Sequence, residues 1–137
     1  MFERIMLATN GSASDRKAVD VAADIGKQHG AEVIVLHVRE WRNTTLRAHE
    51  IEQPDEEADL VEEIVRALKD AGVSARGEVQ AAPSGAVPHV ILEMAKEFDA
   101  GLTVMSSRGL SEWDGLFLAS VSHRVSHLAE CSVFVVR

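Results

Sequence analysis

Short apolar runs alternate with amphipathic stretches along this chain, and the alternation predicts its elements. Residues 5–8 read Ile-Met-Leu-Ala with no polar interruption, the pattern of a strand covered on both faces. The run stops at Thr9, Asn10, Gly11 and Ser12. Ser12 makes a good N-cap for a helix whose apolar positions, Ala18, Val21, Ala22 and Ile25, line one face; Gly30 ends it. Residues 33–38 form a second buried run, with no polar position until His37. Two buried strands joined by one amphipathic helix predict a right-handed parallel crossover.

Residues 41–54 are polar without a clear period and predict a long surface loop over the strand ends. A helix starts near Pro54 with Asp55, Glu56, Glu57 and Asp59 in its first turns, where carboxylates complement the helix dipole. The acids read as a solvated helix start, above a buried stripe of Ala58, Val61, Val65 and Leu68. Gly72 closes this helix. At 75–80, Arg76, Glu78 and Gln80 alternate with Ala75, Gly77 and Val79, which suits a sheet edge with one wet face. Ser84 and Gly85 turn the chain into a helix with Pro88 in its first turn and a stripe of Val87, Val90, Ile91, Met94 and Phe98. Residues 102–105 form a fourth strand. A helix with Leu118, Val121, Val125 and Leu128 at helical spacing follows, and Val133, Phe134, Val135 and Val136 form a fifth strand. Five strands alternating with four helices predict a doubly wound parallel sheet with helices on both faces.

Composition narrows the function classes. A chain of 137 residues with 46% hydrophobic content is one domain, residues 1–137, with one ordinary core. Its 14 Lys and Arg against 22 Asp and Glu give a formal charge of -8, so nucleic acid and anionic membrane surfaces are poor partners. No apolar run approaches the roughly 20 residues of a membrane span, and a cytoplasmic protein is expected. Cys131 is the single cysteine and reads as a packing residue. His123 and His127 share a helical face at metal-ligand spacing, as do His89 and Glu93, but no third ligand has matching spacing, so no metal site is expected. His37 reads as a hydrogen-bonded core residue. Ser12, Ser120 and Ser122 read as caps and loop donors, since none sits in a nucleophile-elbow sequence.

The stretch that suggests chemistry runs from Met105 to Ser122, a strand end, a small-residue loop and a helix start. This arrangement points backbone N–H groups at whatever lies beyond the strand, as nucleotide-phosphate sites do. Here the chain resembles the universal stress proteins, whose signature is Gly, two residues, Gly, nine residues, then Gly followed by Ser or Thr. The signature falls on Ser106, Gly109, Ala119 and Ser120, so one of its three glycines is kept. The Ser107-Arg108-Gly109-Leu110 and Ser120-Val121-Ser122 segments, the last five residues, and the first two strands also look like the family, over nearly the whole chain.

The resemblance implies strand order 3-2-1-4-5 and a ligand crevice where strands one, two and four end. It implies nucleotide contacts at Ala8, Asn10, Val38, Ser106, Arg108, Gly109, Ala119, Ser120, Val121 and Ser122. Asn10 stands where the family has Asp and gives up a charge-assisted bond to ribose. Ser106 and Ala119 replace glycines that permit positive φ and close backbone approach. Glu112 and Asp114 face only Arg108 in the loop; each acid within ~4 Å of a phosphate in water costs about 1 kcal/mol, against about 8 kcal/mol for micromolar binding. The expectation is therefore a weakened or lost ATP site with no tightly bound cofactor; ATP or AMP with magnesium is the occupant in the alternative reading, a nucleotide sensor. Trp113 and Trp41 each admit packing into the site, a dimer contact or a surface cap.

The family commonly dimerises through its last strand, and the unbroken apolar edge at Val133, Phe134, Val135 and Val136 calls for such a cover. A homodimer is expected, with an unidentified protein partner allowed, in a non-enzymatic stress-response or regulatory protein. The enzyme alternative, an ATP-hydrolysing or adenylate-transferring activity, rests on fold analogy. Residues 9–14 make a poor version of the first loop such enzymes need, and no general base is placed to activate water.

Overall fold

The computed structural model describes residues 2–11, 15–41, 54–107 and 119–137. In chain order the elements are β1 (Arg4–Thr9), α1 (Asp15–His29), β2 (Glu32–Trp41), α2 (Pro54–Asp70), β3 (Ser74–Pro83), α3 (Val87–Glu97), β4 (Leu102–Ser106), α4 (Ala119–Leu128) and β5 (Ser132–Val136). The sheet is parallel, in the order β3-β2-β1-β4-β5.

β1 is central, with Ile5 level with Val33 on one side and with Leu102 on the other. Its two-residue alternation divides the core, because successive side chains leave opposite faces of a strand. Met6, Ala8, Ile34, Leu36, Val38 and Met105 pack against α3 and α4 through Val87, Ile91, Val121 and Val125. Ile5, Leu7, Val33, Val35 and Val104 pack against α1 and α2 through Ala18, Ala22, Val61 and Leu68. From Ile5 to Ala8 a strand sandwiched this way has no water-facing position, which is why that run is continuously apolar.

Three expectations change. β2 and β3 run past the end of β1: the last β1 pairing is Thr9 with His37, whereas β2 and β3 pair on to Trp41 and Pro83. Trp41, expected in the loop, therefore ends a projecting two-stranded ribbon and is 47% exposed; the rest of that loop, 42–53, lies outside the described residues. The buried stripe of α2 is displaced by one residue. Ala58 is exposed while Glu57, expected in solvent, is 4% exposed and shares the inward face with Val61 and Leu68. Leu128 is 58% exposed at the end of α4, beyond the reach of the packing that buries Val121 and Val125.

The edges differ as their sequences suggest. Polar β3 carries Arg76, bonded to Glu32 at 2.9 Å and Glu78 at 3.3 Å. At the other edge β5 pairs only with β4 among the described strands. Val133 and Val135 are half-buried on the α3 and α4 side, while Phe134 is 46% exposed.

Candidate functional site

The two neighbours of β1 are reached by crossovers on opposite faces of the sheet, β2 through α1 and β4, coming from β3, through α3, so a crevice opens where the strands end. Its described walls are Ala8, Thr9 and Asn10 from β1 and the following turn, Asp15 from α1, Leu36 and Val38 from β2, Val87 and Ile91 from α3, and Met105 and Ser106 from β4. The apolar members belong to the core cluster on the α3 and α4 face. The cavity measures ≈ 20 Å³, room for about one water molecule.

Ala8, Asn10, Val38 and Ser106, four of the residues expected at the site, meet in this crevice. Val121 is a buried residue of α4 in the core. Ser122 lines a separate groove with Ser107, His123, Ser126, His127, Val135 and Arg137, and its carbonyl accepts the Ser126 hydroxyl at 2.7 Å. Ala119 and Ser120 open α4, while Arg108, Gly109 and Trp113 lie outside the described residues. The backbone corrects one expectation. Among the described non-glycine residues positive φ occurs at Asp99 alone, so Ser106, which ends β4, is not in a left-handed conformation. At Ser106 the lost glycine therefore brings no backbone strain.

Asp15 was not legible as a site residue, yet it organises the β1 end. Its Oδ2 accepts the Asn10 N–H at 2.9 Å, the Gly11 N–H at 3.0 Å and the Thr9 hydroxyl. The Gly11 N–H also reaches Thr9 Oγ1 at 3.1 Å. Gly11 has φ +83, a conformation that favours glycine; a Cβ there would also stand 2.5 Å from Leu60 Cδ2, the movable end of a flexible side chain. The Ser12-x-x-Asp15 spacing, a capping-box pattern with Asp for Glu, was the available signal.

Behind the turn, on the α1 and α2 side, lies a buried polar cluster. His37 Nδ1–H donates to the Thr9 carbonyl at 3.1 Å, as a carbonyl can only accept. Its Nε2 is 3.7 Å from Glu57 Oε1, and Arg39 Nε is 3.9 Å from Glu57 Oε2. His37 is thus a hydrogen-bonded core residue, and Glu57 ties the first turn of α2 to β2. The surface reading of His89 and Glu93 holds, with both side chains exposed and 3.1 Å apart. Cys131 is half-buried with its Sγ 3.4 Å from the Thr103 hydroxyl.

The family model for universal stress proteins matches residues 1–137. This chain belongs to the universal stress protein family. The universal stress protein YxiE of Bacillus subtilis is 36% identical over 100% of both chains. Among solved structures, a universal stress protein in complex with cAMP is 25% identical, with a TM-score of 0.71 over 99% of this chain and 97% of that one. A universal stress protein from Archaeoglobus fulgidus, 20% identical, has a TM-score of 0.76 over 100% of both chains and shares the fold. The five-stranded order seen here is that of universal stress protein structures. Among the described residues no helix is long and apolar enough to cross a membrane, and no group of three or more His, Cys, Asp or Glu is placed to hold a metal ion.

Proposed function

We propose that this chain is a non-enzymatic stress-response or regulatory protein of the universal stress type, cytoplasmic, homodimeric through β5, with weakened or lost ATP binding. The observation that carries the reading is the crevice. Its described walls leave ≈ 20 Å³, whereas ligand pockets usually offer about 300–1,000 Å³. The N–H groups of Asn10 and Gly11, which in a phosphate-cradling first loop would point at the ligand, both bond Asp15. That occupation also argues against the enzyme alternative, which needs the same loop. Calorimetry with Mg-ATP tests the reading: no saturable heat at micromolar concentration is expected, and a micromolar isotherm refutes it.

The dimer reading is supported by β5. An unpaired strand edge beside an exposed Phe134 invites pairing, and a two-fold copy adding its own β5 would complete the ladder and cover the ring. Sedimentation at micromolar concentration should give a dimer; a monomer alone would remove this part of the proposal. A second reading, an adenine-nucleotide sensor in which ATP or AMP with magnesium shifts the dimer, is favoured by the relative solved with cAMP. The same calorimetry separates the two.

A further inference from the structure

We infer that His123 and His127 form an open chelate for a single divalent transition-metal ion of the zinc, nickel and copper class on the solvent face of α4. The rotation of this helix is fixed from beneath, since Val121 and Val125, four residues apart, are 6% and 1% exposed in the core. His123 and His127, also four apart, are therefore presented together, and both are exposed. Their ring centroids stand 6.3 Å apart with the planes inclined at 45°. Turning the side-chain torsions of two exposed residues brings one nitrogen of each ring to the roughly 2.1 Å at which zinc takes imidazole. Histidine pairs four apart on one helix hold zinc in this way.

The groove in which the pair stands decides the class of ion. Val135 of β5 and Arg137 line it beside α4, and among the described residues no carboxylate side chain does. Magnesium and calcium require oxygen ligands, chiefly carboxylates and carbonyls, and Arg137 repels any ion held by charge alone. Imidazole nitrogen suits zinc, nickel and copper. A closed structural site would need further protein ligands, and no described group supplies three; the expectation of no metal from the sequence asked for that third ligand. Two imidazoles instead leave the other coordination positions to water, as open zinc sites do. The chain's formal charge of -8 adds a general attraction for cations. This groove shares no lining residue with the crevice, so the inference stands whether or not a nucleotide binds.

Calorimetry on the full chain, carrying no added histidine tag, tests the inference with zinc, nickel and magnesium titrated separately. Zinc and nickel should each bind saturably, a single ion per chain, while magnesium gives no isotherm. His123→Gln and His127→Gln each remove one of the two protein ligands and should weaken zinc at least tenfold, since losing even an outer partner of a metal ligand costs about 10–100-fold. His89→Gln is the control, because His89 is an exposed histidine with Glu93 at the same spacing and 3.1 Å away; it should bind zinc as the natural chain does. Histidine ring signals in NMR of the natural chain give a readout that needs no variant, and zinc should shift those of His123 and His127. No saturable zinc binding, unchanged affinity in either ligand variant, loss of binding in His89→Gln, equal binding of magnesium, or shifts confined to other histidines each overturn the inference.

Discussion

Gly77→Ala is the sharpest test of how α2 is seated. Gly77 lies in β3 under α2, and a Cβ built there would run into Val61 Cγ1 and stand 3.4 Å from Val65 Cγ2. Its φ lies outside the left-handed region, so the backbone would accept alanine and the unfolded chain would lose entropy, a gain of about 0.5 kcal/mol. Overpacking against a short, stiff valine opposes this by about 1–3 kcal/mol. With the added Cβ overlapping Val61 Cγ1 outright, the cost sits in the upper part of that range, about 2.5 kcal/mol, and the clash wins, for a net loss of about 2 kcal/mol. With an unfolding entropy of about 2.1 cal/mol/K per residue, a chain of 137 residues loses roughly 3.5 °C of Tm per kcal/mol, hence about 7 °C. Val61→Ala alone, at a site 4% exposed, should cost about 2 kcal/mol in lost burial and cavity. Together the two should cost about 2 rather than 4 kcal/mol, because the added methyl enters the space the valine leaves. Urea melts of the four proteins give the coupling. Additive losses, or a Gly77→Ala chain as stable as the parent, would refute this account of the α2–β3 contact.

Other substitutions probe the cluster, the edge and the crevice. Glu57→Ala should cost about 3 kcal/mol in urea denaturation, because it strips a buried partner from His37 and Arg39; Asp59→Ala, on the exposed face of the same turn, should stay within about 0.5 kcal/mol. Equal effects would return Glu57 to the solvated helix start that its sequence suggests. Phe134→Lys should convert the proposed dimer to monomer in sedimentation, since a charge at a strand edge opposes edge pairing, and should leave the fold intact because the ring is 46% exposed. A dimer that survives unchanged would place the contact elsewhere.

Much of the fold was legible because burial on both faces writes itself as unbroken apolar runs. β1, β2 and β4 needed nothing further, β3 announced its edge position by its polar alternation, and the strand order came from the family resemblance. The misreadings share one cause. Glu57 is an acid near a helix start, and a one-dimensional pattern assigns such residues to solvent; only the approach of α2 to the end of β2 supplies His37 and Arg39 as partners. Shifting the stripe by that one residue exposed Ala58 as well. Asp15 escaped notice for the same reason, since its partners are backbone N–H groups in a turn whose shape depends on the positive φ of Gly11. At Ser106 and Ala119 the sequence showed lost glycines, but whether a lost glycine strains the backbone depends on φ, which no residue pattern states.

The two sides of β1's end divide the labour of the crevice. On the α3 and α4 side the walls are aliphatic and close to a single water's volume. On the other side Asp15 holds the turn, the Thr9 carbonyl accepts a hydrogen bond from His37 Nδ1–H, and His37 faces Glu57 of α2. Asn10 joins the two sides, as its backbone bonds Asp15 while the residue lines the crevice. Any ligand that displaced the turn to seat itself would have to break charge-assisted bonds worth about 1.5–3 kcal/mol each. A ligand that instead moved Ile91 and Met105 would disturb only apolar contacts, individually weak and able to re-form around it. Entry from the α3 side is therefore the lower-cost route, and it leads past aliphatic walls toward a fixed carboxylate.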